Sequence, residues 1–340
     1  MTIRAFITGL SGLRLSPAER SFLREARPWG FILFERNISN PRQISALVGE
    51  FRDAVGFDAP VLIDQEGGRV QRLGPPYWRA YPSGSDYGWL FDRDPALGLA
   101  AARLGGRLIA ADLALLGITV NCLPLGDVPA PGADPVIGTR AYGDTPDKVA
   151  QIADAIATGL GEGGVLPVLK HLPGHGRATC DSHFGLPVVK ASRTELEAVD
   201  FAAFRRLAHL PLGMTAHVTF TAIDPEFPAT LSSKLIKDVI RGSIGFDGAL
   251  MSDDVSMGAL TGRIAERTCQ ALAAGCDLAL HCNGDLREME EVAAGAPELS
   301  SVAAKRTERA LAARRKADAT DIAEARITFS RMMGMTAAAG

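Results

Sequence analysis

Cysteine is sparse and scattered: Cys122, Cys180, Cys269, Cys276 and Cys282 form no C-x-x-C pair. That removes a zinc knuckle and a redox dithiol from consideration and fits reduced thiols in a cytosolic protein. No uninterrupted apolar run reaches the length of about 18 residues that a membrane span needs. The stretch from Met1 to Leu10 holds one arginine and an apolar run broken by Gly9. It falls short of the hydrophobic core and cleavage site of a secretory leader, so the cytoplasm is the expected location. Charge of either sign is also not in excess: the formal net is −3, which gives no reason to expect nucleic acid or a membrane as partner. No Pro/Gly/Ser-rich linker divides the chain. The only glycine-rich turn after a first apolar run, Gly9-Leu10-Ser11-Gly12, is too weak a signal for the phosphate turn of an open dinucleotide-binding sheet.

What is present is alternation. Eight short apolar runs, over 4–8, 30–34, 61–64, 119–123, 165–170, 212–216, 248–252 and 277–281, have the continuous apolar character of strands buried on both faces. Between them lie stretches suited to helices, over 17–26, 41–55, 95–116, 146–159, 192–207, 232–240 and 262–274. Most open near Pro or Ser, which are good N-terminal punctuation. Strand–helix alternation repeated eight times predicts an α/β protein built as a single (β/α)8 TIM-like barrel. The barrel is expected to occupy 1–300, with a charged, Ala-rich helix over 303–319 and a frayed tail at 336–340 completing the same domain within 301–340.

In such a barrel the strand C-terminal ends carry the chemistry, and the reactive residues of this chain gather there. Five of the six histidines fall at or near predicted strand ends, His209 being the exception. After the third strand comes Asp64-Gln65-Glu66-Gly67-Gly68-Arg69-Val70-Gln71-Arg72. After the fifth come Lys170-His171-Leu172-Pro173-Gly174-His175-Gly176 and then Asp181-Ser182-His183; Pro173 and the glycines forbid an immediate helix there. Asp181 and His183 are two residues apart, so an extended backbone would set both side chains on one face. A carboxylate beside an imidazole fixes its tautomer and gives a group able to donate and accept a proton near neutrality. The bland alternative is an Asx-turn with a solvated histidine. The seventh strand ends in Ser252-Asp253-Asp254. Adjacent residues point to opposite sides, so only one aspartate can face a substrate, and the residues alone leave the choice open between them, or with both capping a turn. Asp64, Arg72 and Lys170 suit hydroxyl-rich ligands, although each could equally be a structural ion pair. Arg140 adds a further cation in the long loop after strand four.

Taken together, Ile63–Arg72, Lys170–Gly176, Asp181–His183 and Ser252–Met257 resemble the motifs of glycoside hydrolase family 3. More narrowly, they resemble its bacterial β-N-acetylglucosaminidases of peptidoglycan recycling, the NagZ group. The likeness covers roughly residues 1–295, with Phe34–Asn37 and Ala274–Asp277 as further landmarks. It implies that Asp253 is a nucleophile forming a glycosyl-enzyme, and that His183 is the acid/base with Asp181 as its partner. It also implies that Asp64, Arg72, Arg140, Lys170 and His171 bind a terminal N-acetylglucosamine. The implied substrate is a small muropeptide or the disaccharide of N-acetylglucosamine and 1,6-anhydro-N-acetylmuramic acid, the implied cofactor is none, and the implied assembly is a monomer or weak homodimer. An imidazole acid/base repels an anionic acceptor less than a carboxylate would, so a β-N-acetylglucosaminide phosphorylase is the alternative. A metal-dependent barrel hydrolase is the lesser one, because Pro173 and Gly174 between His171 and His175 deprive H-x-x-x-H of its helical geometry.

Overall fold

A computed structural model describes residues 2–335; the tail at 336–340 lies outside them. Eight strands are β1 (Arg4–Thr8), β2 (Pro28–Leu33), β3 (Val61–Ile63), β4 (Val120–Asn121), β5 (Leu166–Leu172), β6 (Leu212–Thr215), β7 (Ala249–Asp254) and β8 (Leu278–Leu280). Each pairs in parallel with its neighbours in chain order, and β8 returns to β1 to close a barrel. The strands read as continuously apolar because both faces are covered. Ile7, Ile32, Leu62, Val168, Met214 and Met251 pack together in one cluster. Their neighbours Phe31, Leu33, Val61, Ile63, Leu169 and Leu250 pack in another with the surrounding helices, as the two-residue side-chain period of a strand requires.

Helix starts follow the predicted punctuation. Pro stands at the first turn of α1 (Pro17–Ala26), α2 (Pro41–Val55), α4 (Pro95–Ala114) and α5 (Pro146–Glu162), where its missing N–H costs nothing. Ser16, Asn40 and Asp94 cap the first three by accepting from backbone N–H groups. A further helix, α3 (Gly84–Arg93), precedes α4.

Several expected elements differ. The single helix over 192–207 is two, α6 (Arg193–Ala198) and α7 (Asp200–Arg206), broken at Val199. The segment Leu235–Ser243 winds as a π-helix, followed by α8 (Ile264–Ala274) and α9 (Leu286–Gly295). The helix expected over 303–319 is α10 (Ser301–Ala312) and stops early. Beyond it Asp318 donates its N–H to the Glu162 carbonyl and accepts from Arg107 Nε at 2.8 Å, so tertiary contacts override helix propensity. The chain then forms α11 (Ile322–Met332), which sets Phe329 against Tyr81 and Tyr87 and Arg326 against Asp112. Among the described residues no helix is long and apolar enough to cross a membrane.

Pairing registers shift between Leu169 and Leu172 on β5 and between Met251 and Asp254 on β7. Both irregularities lie at strand C-terminal ends, where a local change in twist re-aims the side chains that follow.

Candidate active site

One cavity of about 270 Å³ opens at the C-terminal ends of the strands and is lined by all eight sequence-predicted residues: Asp64, Arg72, Arg140, Lys170, His171, Asp181, His183 and Asp253. Its floor is an ion network between the ends of β3 and β5. Lys170 donates to Asp64 Oδ1 at 2.8 Å and contacts Glu66 Oε1 at 2.7 Å. Arg140 grips the other side of Glu66 in a two-pronged pair, 2.9 and 2.8 Å, and Arg72 donates to Asp64 Oδ2 at 3.3 Å. Burial pushes the Glu66 carboxyl up, but the Arg140 and Lys170 charges more than reverse this and hold it at about 2. Burial works against Asp64 as well, and Lys170 and Arg72 carry it below its ordinary range. Buried charges survive only when paired in this way. Lys170 has three N–H donors and spends two on carboxylates, leaving one for a ligand.

The loop after β4 runs alongside the loop after β5. Gly126 N–H donates to the Lys170 carbonyl, Ala130 to Gly176 and Asp134 to Ala178. Gly176 is needed for this approach, since a Cβ there would collide with the Val128 carbonyl oxygen. The pairing delivers Asp127, which is fully buried, beneath both histidines of the β5 loop. Its Oδ2 accepts from His171 Nδ1 at 2.7 Å, and its Oδ1 accepts the His175 N–H, also at 2.7 Å. Burial raises the Asp127 carboxyl, and the His171 charge and hydrogen bond outweigh that and keep it ionised. An acceptor-only carboxylate on Nδ1 keeps a proton there and orients the His171 ring, leaving its Nε2 for the cavity.

The Asp181–His183 segment is a turn rather than the extended backbone expected. Asp181 Oδ1 accepts the His183 N–H at 2.9 Å and also meets His183 Nδ1 at 2.6 Å. The Asx-turn and the carboxylate–imidazole pair, set against each other as alternatives from the sequence, are therefore the same structure. Burial raises the Asp181 carboxyl, and the His183 backbone and ring hydrogen bonds more than reverse this and bring it below its usual value. The His183 side chain is 63% exposed, so its Nε2 side is open to a ligand and to water.

At the end of β7 the two aspartates separate. Asp254 is consumed by the local turn: its carboxylate accepts from Ser256 N–H, Ser256 Oγ and Cys282 N–H. Asp253 lines the cavity and, among the described residues, accepts only the Asp254 N–H, at 2.8 Å. Burial pushes the Asp253 carboxyl up, while His217, His171, that N–H and Lys170 together hold it below its ordinary range. The site thus presents an ionised carboxylate in the barrel mouth and a carboxylate-backed imidazole on an overhanging loop. One can attack a carbon and the other can move a proton at its leaving oxygen.

Two structural players escaped the sequence reading. Glu66 stands inside the Ile63–Arg72 motif, and its signal was its place between two glycines and a strand that ends in Asp64. Asp127 sits in Gly126-Asp127-Val128-Pro129, a lone carboxylate in a proline-bounded loop with nothing local to mark it. Among the described residues no group of three or more His, Cys, Asp or Glu side chains is placed to hold a metal ion.

Comparison with known proteins finds relatives along most of the chain. The profile of the glycosyl hydrolase family 3 N terminal domain matches residues 6–313. A β-hexosaminidase of Alkalilimnicola ehrlichii is 40% identical over 287 residues, covering 83% of this chain and 82% of that one. A β-hexosaminidase of Chromobacterium violaceum is 38% identical, covering 88% and 84%. Among solved structures, NagZ from Neisseria gonorrhoeae in complex with N-trifluoroacetyl-D-glucosamine superposes with a TM-score of 0.85 at 31% identity, covering 98% of this chain and 97% of that one. A barrel with this closure, matched along nearly its whole length, belongs to glycosyl hydrolase family 3.

Proposed function

We propose that the chain is a retaining β-N-acetylhexosaminidase that removes terminal, non-reducing β-N-acetylglucosamine from peptidoglycan fragments, including the disaccharide with 1,6-anhydro-N-acetylmuramic acid, in the cytoplasm. The observation that carries this reading is the 2.6 Å contact between His183 and Asp181 on the wall of the cavity that also holds Asp253. The relatives named β-hexosaminidases, and the N-acylated glucosamine in complex with the Neisseria NagZ, support the sugar class. A cavity of about 270 Å³ is at the small end of ligand sites and suits one terminal ring.

In this reading Asp253 attacks the anomeric carbon while His183 passes a proton to the leaving oxygen. The glycosidic bond breaks as the Asp253–carbon ester forms. His183, now neutral, takes a proton from water, and the resulting hydroxide oxygen displaces Asp253 to release the sugar. Asp64, Arg72, Lys170 and His171 hold the ring hydroxyls. Arg140 acts mainly through Glu66, because its Nε and Nη2 donors are already engaged there.

The test is turnover of an aryl β-N-acetylglucosaminide by the wild type and by Asp253→Asn, with a chelator present and with phosphate first omitted and then added. The expected result is chelator-resistant hydrolysis by the wild type and a loss of about 10⁴-fold or more in the variant, as for removal of a covalent nucleophile. Near-normal turnover by Asp253→Asn would overturn the assignment. Release of N-acetylglucosamine 1-phosphate on adding phosphate would replace hydrolysis with phosphorolysis.

A further inference from the structure

His175 lines the cavity but carries no assigned role in the reaction. It is only 3% exposed, and among the described residues its ring makes one hydrogen bond, Nε2 to Ser182 Oγ at 3.1 Å, with Nδ1 unpartnered. Ser182 is itself buried and stands between Asp181 and His183. The backbone of His175 is fixed by the same carboxylate, Asp127, that orients His171. A continuous chain of contacts therefore runs from the loop after β4 through Asp127 and His175 to Ser182, at the centre of the acid/base turn. On its other side the turn rests on the segment that follows Asp253: Gly258 N–H donates to the His183 carbonyl and Ala259 N–H to the Ser182 carbonyl, both at 3.2 Å.

We infer that His175 is a positioning residue for the acid/base: by holding Ser182 it sets where the Asp181–His183 pair stands over the cavity. An exposed imidazole has little packing of its own to locate it, so its position is that of its turn. The turn has only one side-chain tether to the barrel wall among the described contacts of Ser182. Burial, followed by the neighbouring His171 charge, pushes His175 down to about 4, so the tether is a neutral hydrogen bond throughout the neutral range. The inference rests on the reading of His183 as acid/base.

The experiment compares kcat/KM on a dinitrophenyl β-N-acetylglucosaminide, whose leaving group needs no proton, with kcat/KM on a β-linked disaccharide, whose leaving group does. Ser182→Ala and His175→Ala are expected to lose about tenfold or more on the disaccharide, as misplacement of a catalytic group by a fraction of an ångström does. They should stay within about twofold of the wild type on the activated substrate, and His175→Gln, which can still reach Ser182, should recover most of the disaccharide rate. His183→Ala is run beside them. If His183→Ala distinguishes the two substrates while Ser182→Ala and His175→Ala lose equally on both, or on neither, the positioning role is overturned and the acid/base reading stands. If His183→Ala itself fails to distinguish them, the reading of His183 falls and this inference falls with it.

Discussion

At the scale of single residues, the site shows how much of a side chain's meaning lies in its partners. Asp253 and Asp254 are identical in type and adjacent, and strand periodicity alone could not separate them; the family resemblance pointed to Asp253. In the structure the ladder shift before Asp254, and the N–H groups of Ser256 and Cys282 that occupy its carboxylate, set the two apart. Asp64, Lys170 and His171 could be placed at the cavity from sequence because they stand at or next to strand ends in a fold whose strand ends carry function. Glu66 and Asp127 were less so, since a supporting carboxylate is recognised by the cations and imidazoles it meets across the barrel rather than by its neighbours in sequence. Glu66 illustrates the cost of losing such a partner. In Glu66→Gln the buried Lys170 and Arg140 keep their charges and lose a shared counter-ion. Breaking a buried pair from one side costs about 3–5 kcal/mol, and the denaturation midpoint in urea should fall accordingly. An unfolding free energy from the same curves within about 0.5 kcal/mol of wild type would show that the network is far less coupled than its geometry implies.

At the scale of elements, the strands were legible and their connections less so. β1 falls on the expected residues, because its apolar run has definite polar ends. The Asp181–His183 segment was read correctly in outcome and wrongly in backbone: the pair meets through an Asx-turn, a local hydrogen-bond choice that spacing does not reveal. The early end of α10 came from Asp318 reaching Arg107 and the Glu162 carbonyl, residues far away in sequence. The acid/base turn and the loop after β7 meet so closely at Gly258 that a Cβ there would stand 2.8 Å from the His183 carbonyl oxygen. Gly258→Val should therefore displace the turn that carries His183. Disaccharide kcat should drop by about 10²-fold, the scale expected for about 1 Å of misplacement, while the thermal midpoint changes little. Steady-state rates and a melting curve on the same preparation check this, and unchanged kcat would mean that the turn adapts freely.

At the scale of the whole molecule, stability in acid should decline in two stages. His175 stays neutral in the fold down to about 4 against an ordinary value of 6.5, chiefly because it is buried and then because His171 lies beside it. As pH falls the unfolded chain takes up that proton first. Stability is fully present above about 6.5 and is drained between there and about 4, by about 3 kcal/mol for a shift of this size. Glu66, Asp64 and Asp127 have lowered values in the fold. Their contribution is present above the ordinary carboxylate range and is lost only below it, towards about 2 for Glu66. Urea midpoints at pH 7, 5.5 and 4 should fall for the wild type and fall less for His175→Gln, whose side chain does not titrate. Parallel declines would assign the first stage to other groups.

The barrel closes where β8 lies against β1, with Phe6 opposite Ala279 and His281 N–H donating to the Ile7 carbonyl. Most residues of the cavity are synthesised long before that seam can form, yet Leu280 and Cys282 belong to its wall. Residues far apart in the chain, Asp64, Lys170 and Cys282 among them, therefore share one wall only once the β8–β1 seam has joined the two ends of the sheet.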